Sequence, residues 1–399
     1  MTFCNTANGL FMGGIFSSVG CVERTNLAAF NLGTGEVTSW NPTANNNVLA
    51  LQPHGNRMFI GGEFNTISGV TRSNLASVDI NSGMLLNWVP NPNAYVTSLA
   101  AWNNRLYAGG GFTNVAGFGR TNLVEFNVDN GSVTPWDPGL NRAFVRTLAV
   151  NNNRLYAGGL ITMVGTEPRG RIAAFDLTPG TPTLLPWNPS LTLSGGASIE
   201  GILPVEDRVY ISGRFNGVGG QPRTNIACVT ASTAALLPFA SSSDQPIYAM
   251  GVISNTLVVA GDFHTLGGRS QSSIGALDAT TGALSSWNPR ANFFGRTVRV
   301  VNGNFIVGGA FYAPTRGVAA FPASLETPSV PNASLSRHPN GNIEMTLNGT
   351  GNSRVIVATS TNLVSWENRY SVPLTNGTAQ FLDSEAPSLP MRFYQVGKP

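Results

Sequence analysis

Charged side chains are scarce in this chain. Asp, Glu, Lys and Arg together make up 11% of the 399 residues, against about 25% in an ordinary soluble domain. Lys398 is the only lysine, so the formal net charge of +3 comes from arginines that are spread along the whole sequence. A nucleic-acid-binding surface needs basic residues clustered on one face. The composition therefore excludes nucleic acid as the expected partner.

Cysteine and histidine are also rare. Three cysteines are too few and too odd in number for a disulfide framework. Cys228 lies in the apolar segment NIACVT, which predicts a buried free thiol, whereas pairing of Cys4 with Cys21 stays open. A zinc or copper site needs clustered ligands, and we expect no metal and no cofactor because the histidines are far apart in the sequence, at His54, His264 and His338.

Long apolar runs are missing as well. No run of 18 apolar residues occurs, so we expect no membrane span. The opening sequence MTFCNTANGLFMGG lacks a charged segment followed by an apolar one, which is the pattern of a signal peptide.

The chain carries instead a repeat of about 48 residues. Each copy has an apolar segment that ends in a glycine pair or a close variant of it, and the second glycine recurs at Gly14, Gly62, Gly110, Gly159, Gly213, Gly261 and Gly309. Six copies have an aromatic residue 26 or 28 positions later, at Trp40, Trp88, Trp136, Trp187, Phe239 and Trp287. A period of this length indicates a repeat architecture.

Each copy contains four segments of strand character. In the third copy these are residues 96–101, 106–112, 122–128 and 132–136, and Asn130-Gly131 supplies the positive φ that a tight hairpin needs. Four antiparallel strands repeated seven times predict an all-β fold, namely a seven-bladed β-propeller over residues 1–325. We further expect Gly109 and Gly110 to form the floor beneath a repeat tryptophan, because a large ring needs a surface free of side chains.

The repeat resembles the Kelch type of propeller repeat. The resemblance rests on an apolar strand ending in GG, a following strand such as NLAAFNLGTGEVTSW, and a tryptophan before the next copy. It is closest to the Kelch-like repeats of unknown function that occur in bacterial surface and secreted proteins. It covers about four-fifths of the chain. It is specific for fold but weak for function, because propellers of this kind serve binding, scaffolding and catalysis alike.

The character of the sequence changes after a linker at residues 326–331. Residues 332–399 contain six short segments of strand character and no glycine pair, which predicts a small β-sandwich of immunoglobulin or fibronectin type. The string ATSTNLVSWENRYSVPLTNGTAQFLDSEAPSLPMRFYQV resembles the small sandwich domain at the C-terminus of many secreted proteins of environmental bacteria. This resemblance implies export and an extracellular or cell-surface location.

The seventh copy has no aromatic residue where the pattern expects one, near Pro331. Either residues 329–331 form a poor outer strand, or an upstream segment carries both a signal peptide and a closing strand. We favour the upstream segment.

Candidate ligand-binding residues lie where the repeat is broken. Arginines and asparagines that recur in register, such as Arg120 and Asn122, are expected to tie loops together, since one ligand cannot meet every copy equally. The connections between copies vary most, and binding residues favour loops on a rigid scaffold. Their exceptional side chains are Asn47, Tyr95, Arg142, Phe144, Arg290, Phe294 and Arg296.

These residues predict a monomeric, non-catalytic binding or scaffold protein for a glycan or a protein ligand. The alternative is a secreted enzyme that acts on polysaccharide and uses acids near the same face. Such an enzyme needs two carboxyl groups at about 5 to 9.5 Å in one pocket. The candidate acids are Glu63, Asp244 and Asp262.

Overall fold

The structure is a computed structural model, and it describes residues 1–7, 9–19, 22–140, 143–178, 180–192, 195–310, 317–323, 325, 332–348, 354–360, 367–384, 386–388 and 393–397. Within these residues the chain is all-β, with antiparallel sheets and one 3-10 turn at Ala386–Ser388. Two compact units are formed, Met1–Leu325 and Glu326–Pro399. Each is described by itself.

The first unit contains seven copies of one three-stranded antiparallel sheet. In every copy the second strand lies between the first and the third. The first strands are Thr2–Asn5, Val48–His54, Val96–Trp102, Val145–Asn151, Ser198–Val205, Ile247–Ile253 and Gly295–Val301. The second strands are Gly9–Gly13, Arg57–Gly62, Arg105–Gly110, Arg154–Val164, Arg208–Arg214, Thr256–Gly261 and Asn304–Gly309. The third strands are Leu27–Asn31, Leu75–Asp79, Leu123–Asn127, Glu167–Asp176, Ile226–Thr230, Ile274–Asp278 and Val318–Pro322.

The predicted fourth strand is reduced in the structure. Among the described residues, only the fourth copy extends its sheet with a further strand, Thr183–Leu184. Five other copies hold the same position with a single bridge residue that pairs with the third strand, as Val133 does with Phe126 and Val37 does with Phe30.

Short two-residue hairpins that the sequence pattern did not predict follow the second strands. They are Ser18–Val19 with Val22–Glu23, Thr66–Ile67 with Val70–Thr71, Asn114–Val115 with Phe118–Gly119, Gly217–Val218 with Gln221–Pro222, and Thr265–Leu266 with Arg269–Ser270. The fifth-copy hairpin also pairs with Leu191–Thr192. In the fourth copy the second and third strands run on into the hairpin without a break.

The hydrophobic core of the first unit lies between successive sheets. Seven clusters of buried side chains each combine residues of two consecutive copies, and one of them joins the seventh copy to the first through Val301 and Phe3. The same two copies are linked by Arg299, whose Nε donates to the backbone oxygen of Phe3 at 2.8 Å. Neighbouring first strands lie against each other along the chain, and Thr2–Asn5 contacts both Val48–His54 and Gly295–Val301.

The repeat tryptophans fill these inter-sheet layers edge-on. Trp88 makes T-shaped contacts with Phe59 of its own copy at 5.3 Å and with Phe126 of the next copy at 5.1 Å between ring centroids. Its indole Nε1 donates to the backbone oxygen of Gly131 at 2.8 Å. Edge-to-face pairs of this kind add about 0.5 to 1.5 kcal/mol beyond the burial of area.

The predicted role of Gly109 and Gly110 is wrong. A Cβ at Gly109 would lie 2.4 Å from Cγ1 of Val145 in the next first strand, and no tryptophan atom is among its nearest neighbours. The glycine beneath the tryptophan is the turn residue Gly131, where a Cβ would lie 2.5 Å from Cδ1 of Trp88. The pair therefore allows close approach of backbone, whereas the ring rests on a hairpin turn of the following copy.

The recurring arginines and asparagines tie loops together, as predicted. Arg120 donates through Nη2 to the backbone oxygen of Thr134 at 2.9 Å, and Asn122 donates through Nδ2 to that of Leu140 at 3.3 Å. Asn122 also adopts a φ of 65°, a left-handed conformation that asparagine tolerates better than most residues. The equivalent residues Arg24, Arg72, Arg169 and Arg223, and Asn26, Asn74 and Asn225, make matching bonds.

Buried thiols occur in two copies. Cys228 is a buried free cysteine, as predicted, and burial raises the pKa of its thiol to about 11. Cys4 is likewise free and buried, and burial raises its pKa to about 12. Cys21, whose pairing with Cys4 the sequence left open, lies outside the described residues.

The second unit consists of two three-stranded antiparallel sheets. In one, Ile343–Asn348 lies between Asn332–Arg337 and Thr378–Asp383, and in the other, Arg354–Ser360 lies between Glu367–Pro373 and Phe393–Gly397. Among its described residues, Met345, Leu347, Val355, Val357 and Leu374 form a buried hydrophobic cluster. The immunoglobulin or fibronectin type of this unit stays a prediction, as does the seven-bladed propeller. The segment 329–331, which bears on closure of the seventh copy, lies outside the described residues.

Candidate functional site

Six of the seven first strands have a β-bulge at the same position, one residue after the residue that pairs with the second glycine. In copy 3 the register with the second strand jumps from Val96 to Ser98, so that Thr97 is left over. Bulges of this kind re-aim a side chain and occur next to binding sites. The residues left over are Leu49, Thr97, Arg146, Glu200, Tyr248 and Arg296.

The second glycine of each pair makes room for the backbone that leads into the bulge. A Cβ at Gly110 would lie 2.2 Å from the backbone oxygen of Tyr95, and one at Gly159 would lie 1.9 Å from that of Phe144. The same oxygens accept hydrogen bonds from Gly111 N at 3.1 Å and Leu160 N at 2.8 Å. The glycine pair thus fixes the residue before the bulge through its carbonyl and leaves its side chain free to differ between copies.

Aromatic and charged side chains gather at this end of copies 3 to 5. The rings of Tyr95 and Phe144 pack edge-on, with centroids 5.5 Å apart. Arg146 places its guanidinium 5.0 Å from the Phe144 centroid and its Nε 3.5 Å from Oε1 of Glu200. Ser198 donates through Oγ to the same Glu200 oxygen at 2.6 Å. These contacts hold a partly exposed arginine beside an aromatic pair.

A second arginine is held between rings at the same end of copies 6 and 7. The guanidinium carbon of Arg296 lies 4.3 Å from the centroid of Tyr248 and 4.6 Å from that of Phe294. Arg296 is exposed, and no carboxylate among the described residues lies within ion-pair distance of it. Its N–H groups are therefore available to an external acceptor, because a ring face takes up only the charge of a guanidinium and not its hydrogen bonds.

These seven side chains, Tyr95, Phe144, Arg146, Glu200, Tyr248, Phe294 and Arg296, are called the bulge face below. Four of them were predicted as ligand-binding candidates, and Asn47 lies at the matching position of copy 2, where its Nδ2 donates to Oε2 of Glu63 at 3.4 Å. Arg290 is exposed in the connection before the seventh first strand, with a φ of 53°, and makes none of these ring contacts. Arg142 lies outside the described residues.

Sequence reasoning missed Arg146, Glu200 and Tyr248. The signal was present, because these residues stand two positions after the last residue of each connection, at a place where the side chain varies strongly between copies. In the sequence, the start of each first strand has the pattern of an ordinary strand. Only the register of the sheets reveals that this position is a bulge.

The three predicted acids have different surroundings. Glu63 and Asp262 directly follow second glycines, so they lie at the same end of the sheets as the bulge face. Asp244 instead caps the loop of its own copy, accepting from His264 N at 2.9 Å and Thr265 N at 2.8 Å through Oδ1. Asn93 makes the equivalent bonds in copy 3, so the Asp244 position is structural.

The pKa of the Asp244 carboxyl follows from this capping role. Partial burial acts to raise it, but the backbone N–H groups of Thr265 and His264 outweigh burial and hold the pKa below its ordinary value. The His264 ring, with Nδ1 3.6 Å from Oδ2, acts in the same direction. A carboxylate held ionised in this way is a poor general acid.

Comparison with known proteins gives a likeness of fold. The crystal structure of the computationally designed Ika8 protein matches with a TM-score of 0.51 at 13% identity, over 80% of this chain and 95% of that one. The designed Ika4 protein matches with a TM-score of 0.31 at 16% identity, over 47% and 92% of the two chains. No protein-family model and no curated protein matches the sequence.

No group of three or more His, Cys, Asp or Glu side chains is arranged to hold a metal ion in the described part of the chain. Within the same residues, no helix is long and apolar enough to cross a membrane.

Proposed function

We propose that residues 1–325 form a closed seven-bladed β-propeller of Kelch-like repeats. The seven sheets and the seven inter-copy clusters support this proposal, because a propeller buries its core between neighbouring blades. Closure between the seventh and first blades is supported by the Arg299 bond to Phe3 and by Gly308, where a Cβ would lie 2.5 Å from the Phe3 ring. The bulge face then surrounds one end of the central axis.

The protein acts, in this proposal, as a non-catalytic extracellular protein that binds a glycan on the bulge face. The observation that carries it is the exposed Arg296 held between Tyr248 and Phe294. A guanidinium binds carboxylate groups through two parallel hydrogen bonds, and aromatic rings stack on the C–H faces of sugars. Uronic acids present both groups in one residue, so the expected ligand is an acidic polysaccharide. The alternative ligand is an acidic segment of a protein.

Calorimetric titration with matched oligosaccharides tests this proposal. Oligogalacturonate is expected to bind, and the neutral galactose oligomer of the same length is expected to bind at least tenfold more weakly. Arg296→Gln removes the charge and should reduce affinity for oligogalacturonate roughly tenfold or more, the scale of 1.4 kcal/mol or above. Arg290→Gln is the matched control, since it removes an exposed arginine that has no ring contact.

Equal binding by wild type and Arg296→Gln contradicts the assigned site. A protein ligand is favoured over a glycan if no tested glycan binds and an acidic peptide does, provided that Arg296→Gln abolishes binding of the peptide. Protease treatment of intact cells tests location separately, since a protein outside the cell or on its surface is degraded while cytoplasmic markers survive.

A second candidate function is cleavage of the bound polysaccharide. The acids at this end of the sheets support it. Glu200 lies in the bulge face, and Glu63 and Asp262 follow the second glycines of copies 2 and 6. The discriminating assay is release of reducing ends from oligogalacturonate after long incubation. Turnover that Glu200→Gln abolishes without loss of binding would favour the enzyme, whereas binding without turnover favours the non-catalytic proposal.

A further inference from the structure

Two copies carry an arginine in the same setting at the bulge face. Residues 144–146 and 294–296 both have the sequence Phe-x-Arg, and in both the middle residue pairs with the second glycine of its copy. The guanidinium lies over the phenylalanine ring in each case, at 5.0 Å from the centroid for Arg146 and 4.6 Å for Arg296. Both arginines are exposed. These two positions are called the Arg146 site and the Arg296 site below.

The two sites differ in the acid beside the guanidinium. Glu200, the bulge residue of copy 5, places its Oε1 at 3.5 Å from Nε of Arg146. The Arg296 site has no carboxylate at ion-pair distance in the described part of the chain. One arginine of the bulge face is therefore neutralised by a neighbour, whereas the other keeps its full charge for a ligand.

The carboxylate of Glu200 is held in place against Arg146. The buried Ser198 donates through Oγ to the same oxygen at 2.6 Å. The Glu200 side chain is 13% exposed, against 40% for that of Arg146. A hydrogen bond to an ionised carboxylate is stronger than one between neutral groups, so Ser198 keeps the negative charge beside the guanidinium rather than in solvent.

We propose that Glu200 is a specificity-determining residue that keeps Arg146 from binding a uronate carboxylate. The inference rests on the proposed glycan-binding function, and it limits the bulge face to one arginine for uronate, Arg296. A carboxylate that approaches Arg146 meets the negative charge of Glu200, and specificity is commonly built from such like-charge repulsion. An uncharged sugar unit meets no repulsion of this kind.

Removal of the Glu200 charge in the Arg296→Gln protein tests this role. Arg296→Gln alone is expected to weaken binding of oligogalacturonate, and adding Glu200→Gln should restore affinity by roughly tenfold. The Gln side chain still offers an oxygen to Ser198 but no longer masks Arg146. Adding Arg146→Gln to this double variant should remove the recovered binding. The neutral galactose oligomer of the same length should gain no affinity from Glu200→Gln. Calorimetric titration measures each affinity.

Glu167→Gln is the matched control for the change in net charge. Glu167 lies in the same copy as Arg146, its side chain is 64% exposed, and its carboxylate lies 3.9 Å from Arg169. In the Arg296→Gln protein it should change the affinity by less than about twofold. Glu200→Thr supplies a second substitution in case Glu200→Gln does not fold, because Thr97 is the bulge residue of copy 3. It should restore binding as Glu200→Gln does.

Recovered affinity that requires Arg146 supports the proposal. No recovery with either Glu200 variant, equal recovery with Glu167→Gln, or recovery that survives Arg146→Gln overturns it. Failure of the proposed function shows elsewhere, as no binding of oligogalacturonate by the wild type or no loss in Arg296→Gln. Glu200→Gln in the otherwise wild-type chain then decides on Glu200. A gain of binding that Arg146→Gln abolishes supports its role, and no gain overturns it.

Discussion

Replacing Gly110 by alanine tests the reason for the glycine pair. The new Cβ would lie 2.2 Å from the backbone oxygen of Tyr95 and 3.1 Å from Cα of Val96. Real Cβ atoms do not approach a carbonyl oxygen so closely, so the two strands must separate by roughly 1 Å. Overpacking of this kind costs about 1 to 3 kcal/mol, and a backbone neighbour places the cost toward the upper end.

The expected change in melting temperature follows from the size of the first unit. An unfolding entropy of roughly 2.1 cal/mol/K per residue gives ~0.7 kcal/mol/K for the 325 residues of that unit. A penalty of about 3 kcal/mol therefore lowers the melting temperature by roughly 4 °C. Scanning calorimetry of the full chain measures the shift for the first unit.

Gly119→Ala is the matched control. Nothing lies within 4 Å of a Cβ at Gly119, and loss of a glycine stabilises by about 0.4 to 1 kcal/mol through the unfolded chain where the native backbone tolerates it. Gly119→Ala should therefore leave the melting temperature unchanged or raise it slightly. Melting of Gly110→Ala within error of Gly119→Ala would refute the proposed close approach.

Three further changes probe other parts of the first unit. Arg105→Met strands the fully buried carboxylate of Glu125, which Arg105 pairs with, and should cost about 3 to 5 kcal/mol in urea unfolding, most of which Glu125→Leu in the same chain should restore. Burial raises the pKa values of Cys4 and Cys228 to about 12 and about 11, so their contribution to stability is complete below the unfolded pKa of about 8.5 and declines as pH rises toward 11 to 12. The melting temperature should fall over that pH range. The fall, measured from the value at pH 8, should be smaller for Cys228→Ala than for the wild type. Alkylation at pH 8 should modify neither thiol until the protein unfolds. Asn122→Ala should destabilise by about 1 to 3 kcal/mol, because it loses the side-chain bond at a φ of 65°, and Asn122→Gly, which relieves the backbone strain, should recover part of the loss in the same urea assay.

The sequence was sufficient to predict the antiparallel β-structure and the side-chain hydrogen bonds that tie loops together. Hairpin turns such as Asn130-Gly131 and the period of about 48 residues predicted antiparallel sheets, and Arg120 and Asn122 bond as their recurrence indicated. These features are local, or repeat often enough for an average over copies to reveal them. Seven-fold closure stays a prediction because it depends on how the sheets are placed around an axis.

Errors arose where the pattern of residue types does not identify the neighbour of a residue. Gly110 was assigned to a tryptophan, whereas its neighbour is the carbonyl of Tyr95, the residue before the first strand of the same copy, and the ring of Trp88 rests on Gly131 of the next copy. A pattern of residue types states that a glycine is required but not which neighbour requires it. The fourth strand was overestimated for a related reason, since the alternation around Val133 survives in the sequence while only one bridge forms.

Because of the glycine pair and the bulge, the side chains of the bulge face can vary without loss of fold stability. Backbone bonds such as Leu160 N to Phe144 O hold the entry to each first strand whatever the side chain there. The side chains before and in the bulge are therefore released from packing, and they range from Leu49 through Glu200 to Arg296. Binding chemistry in this molecule is therefore expected where the repeat frees a side chain from packing.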